Sequence, residues 1–285
     1  MKTKSLMAGW VVAALLAVPG LARAESAQES FAKGETLLAK ADFSAALEAF
    51  SAAARADRTN QEYMQHYAMV RRVISLRTRF ESEQDPQQWE YLARALRAFY
   101  ASERIYPEIL ALDQKLHARL NNAESAVMLA ETQLSMEQNA EAVKTLSSLP
   151  AGQADAASRA LLGIALARTG KRDETKQIAA AFALPEGAGP GLAYAAARLH
   201  GAAGDAAKAL QLLKTCLEAV PASRQEGFQT HARTCPEFAA MASTADFAAA
   251  LATPSKVHES KCSGGSSCAG CPMSGKCPKS QAQNR

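Results

Sequence analysis

The stretch Ala32-Lys33-Gly34-Glu35-Thr36-Leu37-Leu38-Ala39-Lys40-Ala41-Asp42-Phe43-Ser44-Ala45-Ala46-Leu47-Glu48-Ala49-Phe50-Ser51-Ala52-Ala53 alternates small residues with large apolar ones at helical spacing. Apolar positions three and four apart predict an amphipathic helix on each side of a break at Ala41-Asp42. Gly34 on the first helix and Ala46 on the second are small, and the large Phe50 follows Ala46 by four. The stretch therefore reads as one antiparallel helix pair.

The same phase returns near the other end, where Gly204-Asp205 turns into Ala209-x3-Leu213 and Pro221 follows Ala209 by twelve residues. Between them, equivalent positions fall at Ile109, Ala142, Thr175 and Ala209, in steps of 33, 33 and 34. Glu137-Gln138 and Gly170-Lys171 occupy the turns of the corresponding pairs. From Ala46 to Ile109 the step is 63, nearly two units. Within it, residues 60 to about 83 read as one long helix whose buried stripe is Met64, Tyr67, Val70, Ile74 and Leu76. Asp85-Pro86 then supplies an N-cap followed by proline at the first helical position. Trp89, Leu92, Leu96, Phe99 and Tyr100 face one way along that helix as core. After Pro221, residues 222–233 and 236–251 read as two helices that cap the array, since a last repeat would otherwise leave an apolar face in water.

Composition agrees with helices. Of 285 residues 63 are alanine, 48% are hydrophobic, 21% charged and only 6% aromatic, which excludes a collagen-like or wholly disordered chain. The formal charge of +4 is unevenly spread. Lys2, Lys4 and Arg23 lie in the first 24 residues, and residues 255–285 hold five cations against Glu259, so residues 25–254 carry −3. No basic body remains to bind nucleic acid. Arg71, Arg72, Arg77, Arg79, Arg94, Arg97 and Arg104 are interleaved with acidic residues and read as paired surface charge.

Gly34 with Ala46 twelve later, Ala46-x3-Phe50 and Ala53 resemble the tetratricopeptide repeat, whose 34-residue unit matches the observed period. Four consecutive units keep that period, while the middle ones are degenerate in residue identity. Ser30 stands at the family's leading tryptophan position and Arg58 at its closing proline. The resemblance implies an all-α solenoid of antiparallel helix pairs over residues 25–221, followed by capping helices over 222–253. It also implies a groove, lined by the first helix of each pair, that receives a peptide or helix of a partner protein. By family phase the groove-facing residues are Phe31, Glu35 and Leu38 in the first pair and Glu90, Arg94 and Arg97 in the Trp89 helix. Phe31 and Glu35 stand where the chaperone-type clamp for acidic C-terminal peptides carries Lys and Asn, so that clamp is not expected. No G-x-x-x-x-G-K-[ST], H-E-x-x-H or G-x-S-x-G occurs, and a non-enzymatic interaction scaffold is expected.

The chain's two ends carry separate signals. Lys2 and Lys4, the apolar stretch from Leu6 to Val18, and Ala22-Arg23-Ala24 form a secretory signal peptide pattern over residues 1–24. An exported protein of bacterial type, periplasmic or secreted, without stable membrane insertion after cleavage, is the corresponding expectation. Residues 254–285 are rich in Ser, Gly, Lys and Pro and lack apolar periodicity, so a disordered tail is expected there. In that tail Cys262, Cys268, Cys271 and Cys277 give C-x5-C-x2-C-x5-C. Two readings stand: disulfides, the default outside the cytoplasm, or a thiolate site for Zn²⁺, Cu(I) or an iron–sulfur cluster. A thiol-redox pair at Cys268-Ala-Gly-Cys271 is a third. Cys216 reads as a small buried residue. Cys235 pairs by spacing with His231 as a metal couple, or with Cys216 or the tail as a bridge. His66, His117 and His200 read as surface or satisfied residues.

Overall fold

The computed structural model describes residues 25–150 and 152–258, so the expected leader and Cys262, Cys268, Cys271 and Cys277 lie outside the described residues. The described residues form thirteen α-helices and one 3-10 turn, with no strand. This is the expected all-α, tetratricopeptide-like architecture. The chain divides after Ile105 into two compact units, a boundary the repeat phase does not mark.

Unit 1 holds α1 (Ala27–Ala39), α2 (Phe43–Ala56), α3 (Gln61–Ser82) and α4 (Pro86–Ser102). Their starts follow from local chemistry. Ser26 and Glu29 close a capping box on α1, Asp42 accepts from the Ala45 amide, Asn60 caps α3, and Asp85 caps α4 ahead of Pro86. Each such cap contributes about 1 kcal/mol. A Cβ on Gly34 would sit 2.6 Å from the Phe50 ring, so α1 and α2 cross at a separation only glycine permits there. Phe31 fills the next layer, its ring against Phe50, Tyr63 and His66. Leu92, Leu96 and Tyr100 of α4 are buried as expected, with Trp89 and Phe99 half-buried.

The α3 stripe differs from the expected one. Val70, Val73 and Phe80 are its buried residues, while Met64 is exposed and Tyr67, Ile74 and Leu76 are half-buried. The face of α3 is set by the rings it meets, Phe31 against Tyr63 and His66 and Trp89 against Phe80. Aromatic partners one turn apart rotate the helix away from the aliphatic stripe.

Unit 2 contains α5 (Tyr106–Leu120), α6 (Ala123–Ser135), α7 (Asn139–Ser147), α8 (Ala156–Arg168), α9 (Arg172–Ala181), α10 (Pro190–Ala203), α11 (Ala206–Ala219), α12 (Ala222–Thr234) and α13 (Ala245–Leu251). Helices α6–α7, α8–α9 and α10–α11 are successive pairs, and each first helix packs on the next, α6 on α8 and α8 on α10. Ala142, Thr175 and Ala209, the repeat-phase positions, are fully buried on the second helices. Twelve residues before each lie Ala130, Gly163 and Ala197, all buried on the first helices. A Cβ on Gly163 would collide with Leu199. Thr175 donates from Oγ1 to the Gly163 carbonyl at 3.1 Å, which ties the pair together at its crossing.

Residues 236–251 are not the single capping helix expected. Pro236–Phe238 forms a 3-10 turn, and i to i+3 bonds from Met241 to Phe238 and from Thr244 to Met241 continue tight turns. Thr244 then caps the short α13 through the Phe247 amide. The reason is packing: Phe238, Met241 and Phe247 are all buried against α10 and α11 residues, and a straight helix from 236 cannot turn all three inward.

Candidate partner-binding groove

In unit 2 the first helices α6, α8 and α10 and the capping helix α12 border one cleft. A cleft of about 920 Å³ is lined by residues of α6, α8, α10 and α12. Its side chains include Glu131 and Ser135 from α6, Arg168 from α8, Tyr194 and Arg198 from α10, and Arg224, Phe228 and His231 from α12. Phase accounts for two of these side chains. Glu131 and Arg198 each follow the small crossing residue of their helix, Ala130 and Ala197, as Glu35 follows Gly34.

A buried ionic triad forms one wall. Glu237, on the 3-10 turn, has only 2% of its side chain exposed. Arg168 donates from Nε to its Oε1 at 2.6 Å and Arg198 from Nε to its Oε2 at 3.0 Å. Arg168 also donates from Nη1 to the Leu134 carbonyl at 2.9 Å. Burial alone would raise the Glu237 carboxyl, but the Arg198 charge and the Arg168 hydrogen bond hold it down to about 2. The Arg168 and Arg198 side chains are 16% and 12% exposed. The turn can come this close because position 201 is glycine: a Cβ there would lie 2.6 Å from the Glu237 carbonyl oxygen. Backbone cannot yield as a flexible side chain can, so Gly201 is what admits Glu237 between the two arginines.

Beside the triad, the Tyr194 hydroxyl lies 2.7 Å from His231 Nδ1. Burial raises the Tyr194 phenol, so it stays protonated and donates to the neutral imidazole. Burial, then Arg198, lowers the His231 imidazolium. The Tyr194 ring meets Phe228 edge-on at 5.2 Å. Cys235 is buried, donates from Sγ to Glu237 Oε2 at 2.5 Å, and has its thiol pushed up to about 11 by burial and by Glu237.

The expected site residues fall differently. Phe31 and Leu38 are 8% and 4% exposed, packed inside unit 1, and so do not line an open surface; the aromatic layer against α3 claims Phe31. Glu35 is exposed. Glu90 and Arg94 pair with each other on α4 at 2.8 Å, and Arg97 is half-buried. The His231–Cys235 couple does not converge, since the histidine meets Tyr194 and the thiol meets Glu237. Cys216 and Cys235 do not bridge to each other, a bridge from Cys235 to the tail cysteines lies outside the described residues, and burial pushes Cys216 up to about 12. Among the described residues no three His, Cys, Asp or Glu side chains are grouped to hold a metal ion, and no helix is long and apolar enough to cross a membrane.

The stacked pairs and the groove along their first helices define a tetratricopeptide-like helical-repeat protein. No protein-family model matches the chain, and no curated protein does. The chain is similar to the crystal structure of YrrB, a TPR protein with an unusual peptide-binding site, at 19% identity over 74% of this chain and 93% of that chain, with a TM-score of 0.31.

Proposed function

We propose that the protein is an interaction scaffold that holds a segment of a partner protein in the groove of unit 2. The observation that carries this reading is the convergence of three first helices, α6, α8 and α10, with the capping helix α12 on one cleft of about 920 Å³. Repeat proteins use such extended faces for binding. The groove combines ring surface at Tyr194 and Phe228 with guanidinium donors, the residue types that dominate protein-recognition energetics. The signal-peptide pattern of residues 1–24 favours an exported setting, periplasmic or secreted.

The test is selection of a random peptide display library on the full chain, followed by competition on a Phe228→Asp variant. The proposal expects enriched peptides whose capture drops at least tenfold on that variant. Absence of enrichment, or enrichment that the variant leaves intact, overturns it.

A second reading rests on Cys262, Cys268, Cys271 and Cys277, four thiols within sixteen residues. As thiolates they would hold Zn²⁺, Cu(I) or an iron–sulfur cluster, and the repeats would serve to dock that carrier on its client. Elemental analysis against a Cys268→Ser, Cys271→Ser variant decides it, with unchanged metal content counting against it.

A further inference from the structure

Seven guanidinium N–H donors of the triad remain after its internal bonds are counted. Arg168 uses Nε on Glu237 and one N–H of Nη1 on the Leu134 carbonyl; Arg198 uses only Nε. Each arginine carries five donors, which leaves three on Arg168 and four on Arg198. Nη2 of Arg168 and both Nη atoms of Arg198 make none of these bonds and are not among the buried polar atoms lacking a partner, so these three keep contact with solvent in residues that line the groove. Glu237 fixes both guanidiniums from behind and neutralises one of the two charges. Arg224 is exposed, lines the same cleft and makes no ion pair among the described residues. The wall therefore presents fixed forks with a net positive charge, an arrangement suited to bidentate capture of a carboxylate. Little side-chain entropy is lost on binding, because the triad has already immobilised Arg168 and Arg198.

We propose that the segment bound in this groove is acidic, with a glutamate or aspartate carboxylate seated on the outer faces of Arg168 and Arg198 and a second near Arg224. This rests on the groove being the partner-binding surface. The chain's own residues 255–285 are not the occupant, because they carry five cations against one anion and would meet like charge on this wall. Phe228 and Tyr194 beside the arginines suit an apolar residue next to the acidic one. Glu131 and Glu137, at the α6 end, place the carboxylate at the α8–α12 end.

The experiment is fluorescence anisotropy on the full chain with three labelled eight-residue probes: alternating alanine and glutamate, the glutamine counterpart and the lysine counterpart. The glutamate probe is expected to bind at least tenfold more tightly than the glutamine probe, and to weaken as salt rises. Arg224→Gln, an exposed change that leaves the triad intact, is expected to weaken it several-fold. So is Arg198→Lys, which keeps the charge and loses the fork. Loss on Arg224→Gln places the probe in the groove rather than on the cations of residues 255–285. Equal binding of the glutamine probe, or indifference to both variants, overturns the proposal. If display-selected peptides are uncharged yet are displaced by Phe228→Asp, the groove reading stands and the acidic segment alone is refuted. If no peptide of any charge binds the groove, both fall.

Discussion

Replacing Glu237 with glutamine keeps the shape of the side chain and removes the negative charge from between Arg168 and Arg198. Breaking a buried pair by removing one partner costs about 3–5 kcal/mol when the remaining charge is fully buried. Here the two arginine side chains keep 16% and 12% exposure, so the charges are not wholly sealed from water and the loss falls nearer 2–3 kcal/mol. With a urea dependence of about 1–3 kcal/mol per M, the unfolding midpoint of unit 2 should drop by about 1 M. The assay is urea denaturation followed by helical circular dichroism, with amide exchange in α10 and residues 236–251 to locate the change. Glu226→Gln, an exposed change on α12, serves as the control. A loss below about 1 kcal/mol, or one equal to the control, would refute the view that Glu237 organises this wall. The pH dependence follows from the same pair. The Glu237 carboxyl is depressed from 4.5 to about 2, so its contribution is present above 4.5 and lost as pH falls through 2. That acid-linked loss, on the order of 3 kcal/mol, should be missing from the Glu237→Gln protein.

Gly201→Ala should displace the Glu237 turn, costing about 1–3 kcal/mol, and amide exchange of residues 236–244 should quicken first; unchanged exchange there would contradict the close approach. Phe31→Ala should destabilise unit 1 by about 3–5 kcal/mol without altering capture of groove peptides, and a binding loss with unchanged stability would return Phe31 to the partner surface. Cys216 and Cys235 should react with a thiol reagent only at the rate of unfolding, as expected of buried thiols held at about 12 and 11. Fast labelling of either under native conditions would contradict their placement.

Local signals in the sequence placed most helices well because their causes are local. Asp42, Asn60 and Asp85 cap helices within three residues of themselves, and Gly34, Gly163 and Ala197 record crossings at a fixed phase. The groove was partly legible by the same rule: the residue after the small crossing position gives Glu35, Glu131 and Arg198, and extending the phase past α1 and α4 would have reached the last two, although on α8 the same rule gives the buried Ile164 and misses Arg168. The triad was not legible. Glu237 meets Arg168 across 69 residues and Arg198 across 39, and no periodicity links a 3-10 turn to the end of α8 and the body of α10. Nor does alanine content separate a helix from the tight turns of residues 239–244, where buried Phe238, Met241 and Phe247 set the path.

The most direct test of the groove is site-specific photo-crosslinking from a benzophenone side chain at position 228, with position 64 on the exposed side of α3 as the comparison and the protein kept in its native compartment. Crosslinks from position 228 that map to one segment of one partner, with none from position 64, are the result predicted. Crosslinks to the same segment from position 64 but not from position 228 would contradict the assignment of partner binding to unit 2.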